Sequence, residues 1–206
     1  MKIYLIACAA LIVGLTGCNS APVHYHTLVP AAPERAVQSP RPPFVLDVLP
    51  VTVPAQLNQA SLVVRRDDTT VDIVDTERWA SPFASEIRSA LSAELTQQLG
   101  TYDVNGLAST PGAAVVRLKL QIRRFDARPN GPVQLDADWL LTFPSTFDQT
   151  LTCTARLAAG APNDYAGLVR AQQSLIHRLA GEIGKDIDAK QGGPVQCPNP
   201  MATVRR

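Results

Sequence analysis

The side chains able to do chemistry in this 206-residue chain are few, and their spacing limits what each can do. The thiol of Cys18 closes an apolar run that begins at Ile3. It sits directly behind Leu15-Thr16-Gly17, so small residues stand where a signal protease would cut and a sulfur able to form a thioether stands just after the cut. His24 and His26 alternate, which on a strand puts both on one face, but no Cys, Asp or Glu lies close by in the sequence to complete a metal-ligand set. Asp136 and Asp138 alternate in the same way, and the basic residues of the neighbouring segment are their expected partners. His177 lies beside the apolar stripe of a helix and reads as a surface or boundary residue. Nucleophilic catalysis needs a hydroxyl or thiol beside a base that a third group holds. With only these three histidines, and no Gly-x-Ser-x-Gly elbow, phosphate loop or metal-ligand spacing, the chain reads as non-catalytic, with no metal site and no catalytic residues.

The Leu15-Thr16-Gly17-Cys18 step resembles the lipobox of bacterial lipoproteins, in which the cysteine is acylated and becomes the first residue after cleavage. Residues 1–17 then form a signal peptide: Lys2 supplies the positive region, Ile3 to Leu15 the apolar core, and cleavage falls after Gly17. That core is too short to span a bilayer, which takes about 20 residues. The resemblance implies a diacylglycerol on the Cys18 thiol and a further acyl chain on its freed amine. At about 0.8 kcal/mol per buried methylene, more than one chain anchors stably where one alone is marginal. The covalent lipid is the only non-protein group expected; no cofactor is.

Removing residues 1–17, whose one charged side chain is Lys2, leaves 18 basic and 18 acidic residues. That balance provides no electrostatic footprint for nucleic acid and no pull toward anionic lipid. Anchoring therefore falls to the acyl groups. With Cys8 removed and Cys18 acylated, Cys153 and Cys197 remain. In an oxidising compartment they can close as a disulfide; otherwise Cys153 is a buried thiol on a strand face and Cys197 a loose one in the tail.

The elements that carry these residues follow from periodicity. Residues 18–43, the lipidated cysteine and a proline-rich stretch, read as a tether with a candidate first strand at 24–28. One domain is expected over 44–190, and an irregular tail over 191–206. Within the domain, strands are expected at Phe44 to Val53, Leu62 to Arg66 and Thr70 to Val74. Glu77-Arg78-Trp79-Ala80-Ser81-Pro82 then leads into a helix, with Ser81 as cap and Pro82 at the first position. Phe83, Ile87, Leu91, Leu95 and Leu99 make its apolar stripe, and Gly100 ends it. From Val116 to Phe143 apolar and polar residues alternate around Asn130-Gly131. If those two are the centre of a tight turn, Ile122 faces Trp139, Leu120 faces Leu141 and Arg123 faces Asp138. Pro129 and Pro132 point to a wider loop, and the faces survive a shift of two. A further strand follows from Phe147 to Leu157. A second helix capped by Asn163 or Asp164 carries Leu168, Leu175, Ile176, Leu179, Ile183 and Ile187, with Gly181 and Gly184 allowing close approach to the sheet or the other helix. The fold class is α+β: a largely antiparallel sheet of about six strands, mixed pairing being the open alternative, with two long helices packed on one face.

The lipobox, His24-Tyr25-His26-Thr27-Leu28, Val51-Thr52-Val53-Pro54-Ala55-Gln56-Leu57, the Arg65 strand and above all Glu77-Arg78-Trp79-Ala80-Ser81-Pro82 together resemble the ABC-type transport auxiliary lipoproteins, the PqiC or YmbA-like family. His24 departs from the tyrosine often found there, and the Cys153/Cys197 pair is not borrowed from the family. The resemblance implies a non-enzymatic lipoprotein of the Gram-negative outer membrane, on its periplasmic face, that serves an intermembrane transport system. Its partners would be the inner leaflet, through the acyl chains, and an MCE-domain protein of an ABC-type transporter, with self-association an open alternative. A lipid carrier or a structural envelope lipoprotein is the alternative from another class. Of the motif residues Arg78, Trp79, Ala80 and Pro82, the tryptophan is expected to pack over the sheet edge rather than touch a partner.

Overall fold

The alternating segments pair as their faces require. In the computed structural model, which describes residues 21–31, 42–107, 112–144, 149–192 and 197, seven strands and two long helices form an α+β fold. The strands are β1 (His24–His26), β2 (Phe44–Val48), β3 (Ser61–Arg65), β4 (Val71–Trp79), β5 (Ala114–Ala127), β6 (Pro132–Phe143) and β7 (Gln149–Gly160); the helices are α1 (Phe83–Leu99) and α2 (Tyr165–Gly192). A single sheet of about six strands was the expectation. Instead there are two mixed sheets, β1-β4-β3 and β2-β5-β6-β7. β1 runs parallel to β4 and β2 parallel to β5; the remaining pairs are antiparallel.

The larger sheet is the meander that alternation marks, with β2 added at its edge. Leu118, Leu120 and Ile122 of β5 and Leu135, Trp139 and Leu141 of β6 are all buried on one face, under the two helices. The pairing differs from the tight-turn register by two residues: Leu120 faces Trp139 and Leu118 faces Leu141. The four-residue connection over 128–131, in which Asn130 takes a positive φ of 53° and Gly131 N–H donates to the Arg128 carbonyl, supplies one residue of that shift, and a bulge at Arg123 supplies the other. Faces are kept because the shift is even, and the bulged Arg123 still reaches Asp138, with Nε to Oδ2 at 2.8 Å.

The smaller sheet owes its separation to an irregularity in the β3–β4 hairpin. Ser61 pairs with Arg78, yet Leu62 pairs with Val74, so residues 75–77 of β4 bulge. Such a bulge bends and twists the strand. The hairpin consequently leans on β5 instead of extending the larger sheet, and Arg65 reaches Asp126 there through Nε at 3.0 Å and Nη2 at 3.1 Å. At the hairpin tip, Asp67 accepts from the amides of Thr69 and Thr70 and from the Thr69 hydroxyl, which pulls its pKa down to about 2.

Glu77, Arg78 and Trp79, expected as part of the lead-in to the first helix, complete β4. Nor does Ser81 cap α1. Pro82 is the residue before the helix, and the Ser81 hydroxyl donates to Glu86 at 2.7 Å. Gly100 ends α1 in the left-handed conformation at φ 65°, and Asp164 Oδ1 caps α2 by accepting from Gly167 N–H at 2.6 Å. The α2 stripe is buried from Leu168 to Ile187. Against that stripe lies Cys153 of β7, joined in the structure to Cys197 with 5.4 Å between their Cα atoms.

Candidate functional site

β1 is the point at which the leader meets the folded body, and a set of buried acids fixes it there. In the parallel register His24 lies opposite Glu77 and His26 opposite Trp79. Both imidazoles reach the same buried carboxylate: His24 Nδ1 is 2.9 Å from Glu77 Oε1 and His26 Nε2 is 2.5 Å from Oε2. Burial pushes the Glu77 carboxyl up, but the hydrogen bonds from His26 and His24 outweigh it and hold the group below the usual carboxylate range. Glu77 is distant from this pair in the chain, and the parallel pairing alone brings it in. One strand on, Glu86 of α1 accepts from the Thr27 hydroxyl at 2.7 Å and the Leu28 amide at 2.9 Å. The Ala80 amide donates to the His26 carbonyl, and Gln173 of α2 donates to the Thr27 carbonyl.

Chemically, this is an attachment of β1 to β4 and α1. The hydroxyls of Thr27 and Ser81 are both directed at Glu86, and neither histidine is bonded to one. Among the described residues no group of three or more His, Cys, Asp or Glu is arranged to hold a metal ion. Trp79 is buried and stacks on Phe83 with ring centroids 5.0 Å apart, so it closes the core over the start of α1. Its motif neighbour Arg78 donates from Nε to the Asp75 carbonyl at 3.2 Å, across the β4 bulge, while Ala80 and Pro82 are exposed. His177 is a boundary residue bonded through Nδ1 to Glu94 at 2.7 Å.

A polar groove of about 470 Å³ runs between the hairpin and β5, with Arg65, Arg123, Arg124 and Arg128 along it. Each guanidinium has a carboxylate: Asp126 for Arg65, Asp138 for Arg123, Asp126 and Asp136 for Arg124, Asp68 for Arg128. The expected pairing of Asp136 and Asp138 with β5 is therefore present, and the groove is charge-balanced. The apolar space enclosed by Leu57, Leu62, Trp79, Phe83 and Phe125 is about 10 Å³, far below the several hundred typical of a ligand pocket. No helix among the described residues is long and apolar enough to cross a membrane. Gly17, Cys18 and the rest of residues 1–20 lie outside the described residues, as do Phe147 and the tail beyond residue 192 apart from Cys197.

Residues 26–184 match the model of the ABC-type transport auxiliary lipoprotein component family. The chain belongs to that family. It is similar to the intermembrane transport lipoprotein PqiC of Escherichia coli, 32% identical over 191 residues that cover 91% of this chain and 98% of that protein. The PqiC of Shigella flexneri matches equally. Among solved structures, an uncharacterized protein is 24% identical with a TM-score of 0.64, covering 81% of this chain and all but 1% of its own. A protein of Xanthomonas campestris is 14% identical with a TM-score of 0.61, covering 82% and 97%. At those identities the two structures share the fold, and the full-length match to PqiC relates this chain to transport auxiliary lipoproteins.

Proposed function

We propose that the chain is held by acyl chains on Cys18 in the inner leaflet of the outer membrane, and that its folded part docks the distal end of an MCE-domain protein of an ABC-type transporter. No catalytic step is part of this role. The observation that carries the reading is the match to PqiC over nearly the whole of both chains. The Leu15-Thr16-Gly17-Cys18 step supports the anchor. Asn19, in place of an aspartate at the position after the cysteine, supports outer-membrane over inner-membrane placement. Charge balance in the groove favours docking over lipid carriage.

Affinity purification of the full chain from cross-linked envelopes tests the reading. Docking yields an MCE-domain or ABC-transporter component and no stoichiometric lipid in the delipidated protein. Recovery of bound lipid with no such component would favour the carrier, and recovery of neither would contradict both.

A further inference from the structure

The anchor and the fold together leave little freedom in how this chain can sit on a membrane. Ala21 is the first described residue, and Cys18 is three residues before it. Three residues span at most about 11 Å when fully extended. An acylated Cys18 has its thioether at the level of the lipid glycerols, so Ala21 is confined to the headgroup layer or its edge. Ala21 is not on a loose tether, since three residues further on β1 is paired to β4 and clamped by Glu77 and Glu86.

The direction is equally constrained. β1 runs parallel to β4 with His24 opposite Glu77, so the chain traced back from His24 to Ala21 heads in the direction of the β4 start at Val71, and away from α1. On that path lie Val23 at 44% exposure, Val71 at 43% and Ile73 at 54%, with Tyr25 at 67% just past His24; they are four of the seven large apolar side chains well exposed among the described residues. At the hairpin, Arg66 pairs with Asp72 at 2.7 Å, Asp67 is consumed by the turn, exposed Asp68 pairs with Arg128 at 3.3 Å, and Asp75 accepts from the Ser61 hydroxyl. A tyrosine with an apolar body and a polar tip suits the interface between headgroups and acyl chains.

We propose that the chain lies directly on the bilayer through β1 and the β3–β4 hairpin, with Val23, Tyr25, Val71 and Ile73 entering the headgroup layer and the far end of α1 pointing into the periplasm. This rests on acylation of Cys18. The lipid surface is the second half of the anchor: the acyl chains hold the protein, and the strand edge fixes its orientation.

Hydrogen exchange read by mass spectrometry tests it on the full chain. The acylated protein in vesicles of phosphatidylethanolamine and phosphatidylglycerol is compared with the unacylated Cys18→Ser protein in buffer. The expected result is severalfold slower exchange in peptides over 21–24 and 66–76 of the acylated form, with 101–107, at the opposite end of α1, unchanged. Inserting a flexible Gly-Ser segment after Ser20 should abolish most of that protection while leaving the protein vesicle-bound. Acylated protein whose 21–24 and 66–76 peptides exchange as fast as in the Cys18→Ser form would overturn the proposal and leave the anchor standing. A Cys18 peptide carrying no lipid mass in the starting material would overturn the anchor and the proposal with it.

Discussion

Trp139 Nε1 donates to Asp186 Oδ2 across 3.1 Å, and the bond joins the centre of the larger sheet to the buried face of α2. Asp186 is 4% exposed, and burial, only partly countered by the indole, raises its pKa above the usual carboxylate range. A carboxyl whose folded pKa is raised binds its proton more tightly in the native state, so between the unfolded and folded values stability falls as pH rises. Asp186→Asn keeps the acceptor for Trp139 and removes the buried charge. We expect its melting temperature at pH 7 to exceed that of the wild type by a few degrees, the gap closing as pH falls toward 4. Trp139→Phe strands the carboxylate instead and should cost about 1–3 kcal/mol in denaturant titration.

Glu77 has the opposite sign. Its carboxyl is held down on balance, so its contribution is present above the ordinary carboxylate pKa and disappears as pH falls through the folded value. Glu77→Gln should remove roughly 1–3 kcal/mol at pH 7 and free β1, which limited proteolysis between Val29 and Phe44 would report as faster cleavage. Cleavage unchanged from wild type would mean that the clamp on β1 resides in Glu86 alone.

Two glycines of α2 separate packing from propensity. A Cβ on Gly167 would lie 2.1 Å from Pro162 Cγ, whereas one on Gly184 would meet Leu99 Cδ2 at an ordinary 3.7 Å. Gly167→Ala should therefore destabilise by about 1–3 kcal/mol, as overpacking does, and Gly184→Ala should stabilise by up to ~1 kcal/mol from helix propensity. Thermal melts of the two variants check both signs.

These contrasts mark what periodicity could and could not expose. Alternation in β5 and β6 placed Leu120, Trp139 and Leu141 on the dry face, and the four-residue spacing from Phe83 to Leu95 marked the buried stripe of α1, because both patterns follow from local geometry. Gly181 and Gly184 do adjoin the other helix, at Gln98 and Leu99, but a methyl would fit at either. Gly167 is the crowded one, and its neighbour Pro162 belongs to the turn before the helix, where no periodic signal exists. Glu77 was invisible as the partner of His24 and His26 because parallel pairing of two strands over fifty residues apart leaves no local trace. The division into two sheets was hidden for a related reason: it arises from the bulge at residues 75–77, within a segment whose Trp79 and Pro82 suggested a helix lead-in.

Cys153 and Cys197 enclose the second part of β7 and all of α2 in one covalent loop, with a sequence separation of 44. In protein isolated from the envelope we expect thiol titration to find neither cysteine free. Cys153→Ser with Cys197→Ser should lower stability by about 2–4 kcal/mol, with the loss appearing first as faster exchange in α2. Two free thiols in the native envelope protein would refute the bond.

The anchor is the premise on which orientation and docking both depend, and intact-mass analysis of the N-terminal peptide from outer-membrane fractions tests it most directly. The account requires Cys18 as the first residue, carrying a diacylglycerol and a further acyl chain. A chain that still begins at Met1, or one cut elsewhere with an unmodified Cys18, would contradict it.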